Sequence, residues 1–319
     1  MTAMIDARRM IIQRQLPTHG DYLVLWKNSN EDQKIGEFLN HIVTSLSSDQ
    51  TSAQRGGKEF RILDIGVGDG RKTFPFVRRL QSIGLRVQLD VAEPESSCMQ
   101  AFQSGAAKAG LKSTLHRCIP KRWHEILPEI PPSHYDIVLS SHSAYEYMRY
   151  PANQLATGQV ACLAELVKRT IDILAPNGVF YLIVGNPNNA VSQLRAQFLP
   201  YIHGENELDV SRLLTQLHTG ARCRREQIPD QWLDVSRILG RVEDAVHPDW
   251  PGFLRFLFHA EPPAICTDME KAVRHEIMDL AHKCGGAPER ALPPVSAGGK
   301  VLLPIDDDCL IIEKQPSQQ

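Results

Sequence analysis

From residue 59 to 187 the chain alternates between two hydrophobic patterns. Short, nearly continuous apolar runs are separated by stretches in which apolar residues recur every three or four positions. The runs FRILDI (60–65), RVQLDVA (86–92), STLHRC (113–118), YDIVLSS (135–141) and VFYLIV (179–184) predict five strands. Helical spacing between them predicts helices over 72–82, 96–107 and 154–174, the last closed by Ala175-Pro176-Asn177-Gly178. Strands that take turns with helices predict a parallel, doubly wound sheet with right-handed crossovers.

Both flanks depart from this rhythm. Ahead of the core, Leu23, Trp26, Ile35, Phe38, Leu39, Ile42, Val43 and Leu46 predict a helical segment over 21–46 that the polar stretch 28–33 interrupts, and Gly56-Gly57 marks a loop. After Pro187, helices are expected over 190–198, 211–217, 252–258 and 268–284, with a strand over 222–227 and a Pro/Gly-rich loop over 285–299. Two apolar segments, 300–303 and 309–312, flank Asp306-Asp307-Asp308; the second is expected to be an antiparallel strand at the edge of the main sheet. The organisation expected is one domain over 1–319: a helical N-terminal lid (1–58), a cofactor-binding core (59–187), substrate-side insertions forming a cap (188–299) and a C-terminal strand (300–319).

Composition narrows the chemistry. A chain of 319 residues with 42% hydrophobic and 23% charged residues can bury a large core. A net charge of -2 and a pI near 6.6 argue against a nucleic-acid partner, which usually demands a strongly basic face. No apolar run approaches the roughly 18 residues needed to cross a bilayer, so a cytoplasmic enzyme without a membrane partner is expected. The seven cysteines are scattered and contain no C-x-x-C pair, which argues against disulfides and structural zinc; no metal is expected.

The turn after the first predicted strand carries the chemistry. Gly66, Gly68 and Gly70 stand at alternate positions in LDIGVGDG, where backbone must adopt positive φ or approach a ligand closely. The spacing is Gly-x-Gly-x-Gly, and its third glycine comes too early for the usual dinucleotide turn. Asp64 stands just before it, suited to an ammonium-bearing cofactor tail and repulsive to a pyrophosphate. Glu93, followed by Pro94, closes the second strand, where a carboxylate would accept from ribose hydroxyls. A cationic, phosphate-free nucleoside fits best.

At these residues the chain resembles the class I S-adenosylmethionine-dependent methyltransferases, whose first motif has the form of LDIGVGDG and whose second strand ends as VAEP does. The resemblance implies an α/β, Rossmann-like, mostly parallel seven-stranded sheet with helices on both faces, closed by an antiparallel hairpin that 300–314 would supply. It implies S-adenosyl-L-methionine as cofactor, held by Asp64, Gly66, Gly68, Gly70, Glu93, Pro94, Ser141 and His142. Within that class, most of the chain is similar to the histamine N-methyltransferase family. WKNSNEDQKIGEFLNHI resembles the segment that carries that family's substrate-binding glutamate, which places the role on Glu31. SSHSAYEY lies where the family has a glutamine followed by tyrosines: His142 falls at the glutamine and Tyr145 at a tyrosine. GKVLLPIDDD resembles a segment followed by an asparagine, to which Asp306 or Asp307 comes nearest.

Methyl transfer from a sulfonium asks mainly for alignment and exclusion of water, because the leaving group is already present. The catalytic candidates are His142, Glu31 and Tyr145, with His142 able to accept or relay a proton near neutral pH. Glu31, Asp306 and Asp307 suit a small acceptor that carries a cationic amine and a methylatable nitrogen. Tyr22, Trp26, Tyr145, Tyr147, Trp250 and Phe253 are candidate pocket walls. Base methylation is disfavoured, because the position after the fourth strand reads SHSAY and not Asn/Asp-Pro-Pro-aromatic. Three alternatives stay open: an O-methyltransferase of small metabolites, an aminopropyl-type transferase and a non-catalytic S-adenosylmethionine-binding homologue. A monomer or weak homodimer is expected.

Overall fold

The computed structural model describes residues 19–49, 59–144, 147, 149–151, 157–202, 205–207, 221–239, 248–258, 267–285 and 301–315. Helices α1 (His19–Asn28) and α2 (Glu31–Asp49) meet at Ser29-Asn30. Then come β1 (Phe60–Ile65), α3 (Thr73–Ser82), β2 (Val87–Ala92), α4 (Ser96–Lys108), β3 (Leu115–Ile119), the short α5 (Trp123–Ile126) and β4 (Tyr135–Ser141). A short β5 (Arg149–Pro151), α6 (Thr157–Ile173), β6 (Leu174–Gly185), α7 (Ala190–Ile202) and β7 (Glu205–Glu207) follow. The remaining elements are β8 (Arg222–Ile228), β9 (Trp232–Asp234), α8 (Ser236–Leu239), α9 (Trp250–Phe258), α10 (Thr267–Gly285), β10 (Leu302–Pro304) and β11 (Asp307–Glu313). The expected helix at 211–217 and Tyr145 lie outside the described residues. Among the described residues no helix is long and apolar enough to cross a membrane.

The main sheet has seven strands in the order β3-β2-β1-β4-β6-β11-β8. The five strands from β3 to β6 are parallel, and β11 runs antiparallel to both β6 and β8. The sheet is therefore mixed. Two expectations are corrected here. β11 is not an edge strand, and 300–314 does not form the hairpin: the partner of β11 is β8, and β10 pairs with β9 in a separate ribbon. The edge falls to β8, which is polar (RCRREQI) and largely exposed, as an edge that must resist pairing with another chain should be.

Side-chain alternation explains how both faces of the sheet are filled. Leu63, Ile65, Val138, Leu182, Leu310 and Ile312 point to one face and pack with Trp123, Leu163, Leu166 and Val167 of α5 and α6. Ile62, Leu89, Val91, Leu139, Ile183, Cys309 and Ile311 point to the other, against α2, α3 and α4. On α3 the buried Phe76, Val77 and Leu80 form the apolar stripe of a helix with one face on a sheet. β6 starts earlier than expected, at Leu174, and absorbs Pro176-Asn177-Gly178 as an irregularity in its pairing with β4. A third core lies beyond the sheet and joins α1, α7, α8, α9 and α10 with Leu233, Leu303 and Ile305.

Candidate functional site

Parallel strands end together, so β1, β2 and β4 deliver their C-terminal residues to one rim of the sheet. At the end of β1 the backbone turns through Gly66, Gly68 and Gly70, all at positive φ (72°, 58° and 84°). The outer two glycines are required by packing: a Cβ on Gly66 would lie 2.3 Å from Ser143 Cβ, and one on Gly70 would lie 2.4 Å from Phe74 Cζ. Gly68 differs, since the nearest atom to its imagined Cβ is Trp26 Cη2 at 3.9 Å, and the missing side chain leaves cleft space open. Its N–H donates to Glu93 Oε2 (3.0 Å), whose Oε1 accepts from the Glu95 N–H (2.9 Å). Burial raises the Glu93 carboxyl despite these two bonds. Asp64 is buried and accepts from the Thr73 hydroxyl at 2.5 Å; burial nonetheless pushes its carboxyl up to about 7.

Facing the turn is a cluster of charge assembled from four separate elements. Glu31 opens α2, Lys72 immediately precedes α3, His142 follows β4, and Asp307 opens β11. Lys72 Nζ donates to Glu31 Oε1 (2.6 Å) and to Ser141 Oγ (3.3 Å), and lies 3.7 Å from Asp32 Oδ1. His142 Nε2 lies 3.1 Å from Asp307 Oδ2 and 3.2 Å from Glu31 Oε1. His142 also adopts φ 57°, a conformation that a non-glycine residue holds only where its surroundings enforce it. Burial works to raise the Glu31 carboxyl, but Lys72 and His142 outweigh it and hold it below its ordinary value. For Asp307 burial prevails over His142 and the carboxyl is raised. Burial opposes the Lys72 charge, yet Glu31 and Asp32 keep its ammonium above the ordinary range.

One cleft joins the turn to the cluster and encloses about 1600 Å³ of empty space, part of it open to solvent. Asp64, Gly66, Gly68, Glu93, Pro94, Ser141, His142, Tyr22, Trp26, Glu31, Tyr147 and Asp307 all line it. Tyr22 stacks on Trp26 with ring centroids 5.5 Å apart, and the Arg71 guanidinium lies 4.8 Å over the Trp26 ring. Tyr147 holds His124 Nδ1 through its hydroxyl at 2.8 Å.

Other candidates fall elsewhere. Trp250 and Phe253 are buried in the third core, with the Arg274 guanidinium 4.0 Å over the Trp250 ring, and neither lines the cleft. The Asp306 carboxylate accepts from the Gln231 N–H (3.2 Å) and from Gln227 Nε2 (3.1 Å), which ties the β8–β9 turn to the start of β11. Alternation along the strand sends Asp307 into the cleft while Asp308 accepts from Asn186 Nδ2 on the opposite side.

The structure also brings in residues that the sequence reading did not single out. Lys72 reads as an ordinary helix start, and its partner Glu31 is remote in sequence. Arg195 is a buried cation on α7 that donates to Leu257 O (2.9 Å) and Phe256 O (3.2 Å) and lines the cleft. Its signal was a charged residue at an apolar-face position of AVSQLRAQFL.

No family model matches the chain, and no curated protein sequence matches it. Its fold is similar to that of the YcgJ protein from Bacillus subtilis, with 12% identity over 89% of this chain and 99% of that one, and a TM-score of 0.51. Weaker likenesses run to a SAM-dependent methyltransferase from Archaeoglobus fulgidus (13% identity, 88% and 94% of the two chains, TM-score 0.40). Another is the O-methyltransferase TomG from Streptomyces achromogenes, solved in complex with SAM (19% identity, 60% and 72%, TM-score 0.38). Structural neighbours thus include class I SAM-dependent methyltransferases. At these identities the likeness concerns the fold.

Proposed function

We propose that the chain is an S-adenosylmethionine-dependent methyltransferase acting on a nitrogen of a small amine- or imidazole-containing metabolite. The observation that carries this reading is the cleft itself, with the Gly68 turn and Glu93 along one part and His142 between two carboxylates along another. The residues fit the cofactor: a side chain at Gly68 would fill space that a nucleoside needs, Glu93 can accept from ribose hydroxyls, and Asp64 suits an ammonium tail. When bound, S-adenosylmethionine supplies an electrophilic methyl group on a good leaving group. Glu31 and Asp307 would hold the cationic part of the acceptor, as the resemblance to the histamine N-methyltransferase family implies for Glu31. His142, whose Nε2 lies against both carboxylates, would take the proton of the acceptor. Tyr22 and Trp26 screen the site from water.

On this reading α1 and α2 act as a lid and the third core as a substrate-side cap of a single domain. The enzyme works in the cytoplasm as a monomer or weak homodimer, without nucleic acid or membrane. A second reading, transfer to a hydroxyl or carboxyl oxygen, is favoured by the His142–Asp307 pair, since a carboxylate-held imidazole serves a hydroxyl equally well. Release of S-adenosylhomocysteine, assayed over biogenic amines, amino acids, phenols and carboxylic acids, tests both. Turnover with amines or imidazoles is expected, and turnover with oxygen acceptors alone would overturn the first reading. Absence of S-adenosylmethionine binding by calorimetry would overturn both.

A further inference from the structure

In the cluster opposite the glycine turn, two carboxylates approach the same ring nitrogen. His142 Nε2 is 3.1 Å from Asp307 Oδ2 and 3.2 Å from Glu31 Oε1, and one ligand atom from each residue lies within 4.8 Å of the others. A single N–H directs its hydrogen well at only one acceptor. Ligand atoms in neighbouring positions around an ion with bonds of about 2.1 Å lie about 3 Å apart, so both separations match edges of a coordination polyhedron.

Charge points the same way. When ionised, Glu31, Asp32 and Asp307 bring three negative charges to this corner and Lys72 one positive, so with a neutral imidazole two positive charges are missing. Glu31 and Asp307 are buried, whereas His142 is partly open to the cleft. The ligands stand at a helix start and at two strand ends, which the sheet holds in place.

We propose that Glu31, His142 and Asp307 bind one divalent first-row metal ion, with its remaining coordination positions facing the cleft. One nitrogen and two carboxylate oxygens suit Mn²⁺, Fe²⁺ or Zn²⁺ better than a thiolate-seeking ion. The site contradicts the expectation of no metal, which rested on cysteine spacing and could not register ligands scattered over three remote segments. It does not rest on the methyl-transfer reading, and an ion held by Glu31, His142 and Asp307 would take the place given there to the cationic group of the acceptor. Lys72 is its internal competitor, because the ammonium already draws on Glu31 Oε1; with the ion bound, Nζ keeps Ser141 and Asp32 as partners.

Mn²⁺ titration of the chelator-stripped full chain, followed by electron paramagnetic resonance, tests the proposal. One saturable ion per chain is expected, with nitrogen modulation from one imidazole in the pulsed spectrum. His142→Ala and Asp307→Asn should each weaken binding by about tenfold or more, while Lys72→Met should tighten it severalfold and gain thermal stability on adding Mn²⁺. No saturable binding by wild type and Lys72→Met, no nitrogen modulation, or wild-type affinity in His142→Ala and Asp307→Asn would overturn it. Stripped protein that binds S-adenosylmethionine yet takes no Mn²⁺ would remove the ion and leave the methyl-transfer reading standing.

Discussion

The Lys72 ammonium donates to Glu31 Oε1 at 2.6 Å and so pins the first turn of α2 to the residue that immediately precedes α3. Both side chains are largely buried, and removing one partner strands the charge of the other. Lys72→Met is expected to cost about 3 kcal/mol in urea denaturation. The double variant with Glu31→Gln should lose clearly less than the sum of the single losses. Additive losses would show that the two groups do not depend on each other.

The three glycines separate by role. Gly70→Ala forces a methyl group into Phe74 at positive φ and should destabilise the fold by about 2–4 kcal/mol. Gly68→Ala meets open space and carries only the backbone penalty of about 1 kcal/mol, yet places a methyl group in the cleft. Calorimetry should show S-adenosylmethionine affinity falling at least tenfold in Gly68→Ala with the fold retained. Undiminished affinity would remove this turn from the cofactor site.

Asp64 should make cofactor binding depend on pH. Its carboxyl titrates near 7 in the native state against 3.8 for its ordinary value, so the native state prefers it protonated. Its contribution favours folding at low pH and is withdrawn as pH rises from about 4 to about 7. A cationic ligand favours the ionised form, so affinity should strengthen as pH rises through 7, with proton release on binding. Titrations in buffers of different ionisation enthalpy measure that release, and Asp64→Asn should abolish it.

Neighbouring aspartates should behave differently. Asp306→Asn disturbs the contacts with Gln227 and Gln231 and is expected to lower the melting temperature with little effect on acceptor KM. Asp307→Asn removes a partner of His142 and should depress kcat/KM and change its pH profile. Equal kinetic damage from both would mean that the strand alternation does not separate their roles.

Much of the parallel half of the sheet was legible because each strand is a local apolar run bounded by a turn. β1 and β4 match their expected limits, and the glycines and Glu93 are read from the ends of two successive strands, β1 and β2. The antiparallel half was harder, since pairing is a long-range property. β8 is too polar to look like a strand of a main sheet, yet that polarity is what an edge requires. The unbroken CLII of β11 did carry a signal, for a strand buried on both faces lacks alternation and belongs inside a sheet. Lys72 and Arg195 escaped notice because their meaning lies in remote partners: Glu31 for one, the carbonyls at the end of α9 for the other.

The strand that fills the gap between β6 and β8 is the last of the described elements, and its first residue is Asp307. During synthesis the ribosome must release β11 before β8 can join the sheet, so the nascent protein waits with an unpaired flank on β6. A product truncated before residue 307 would lack that closing strand and the aspartate beside His142 together. Completion of the sheet and arrival of a cleft carboxylate thus become a single event.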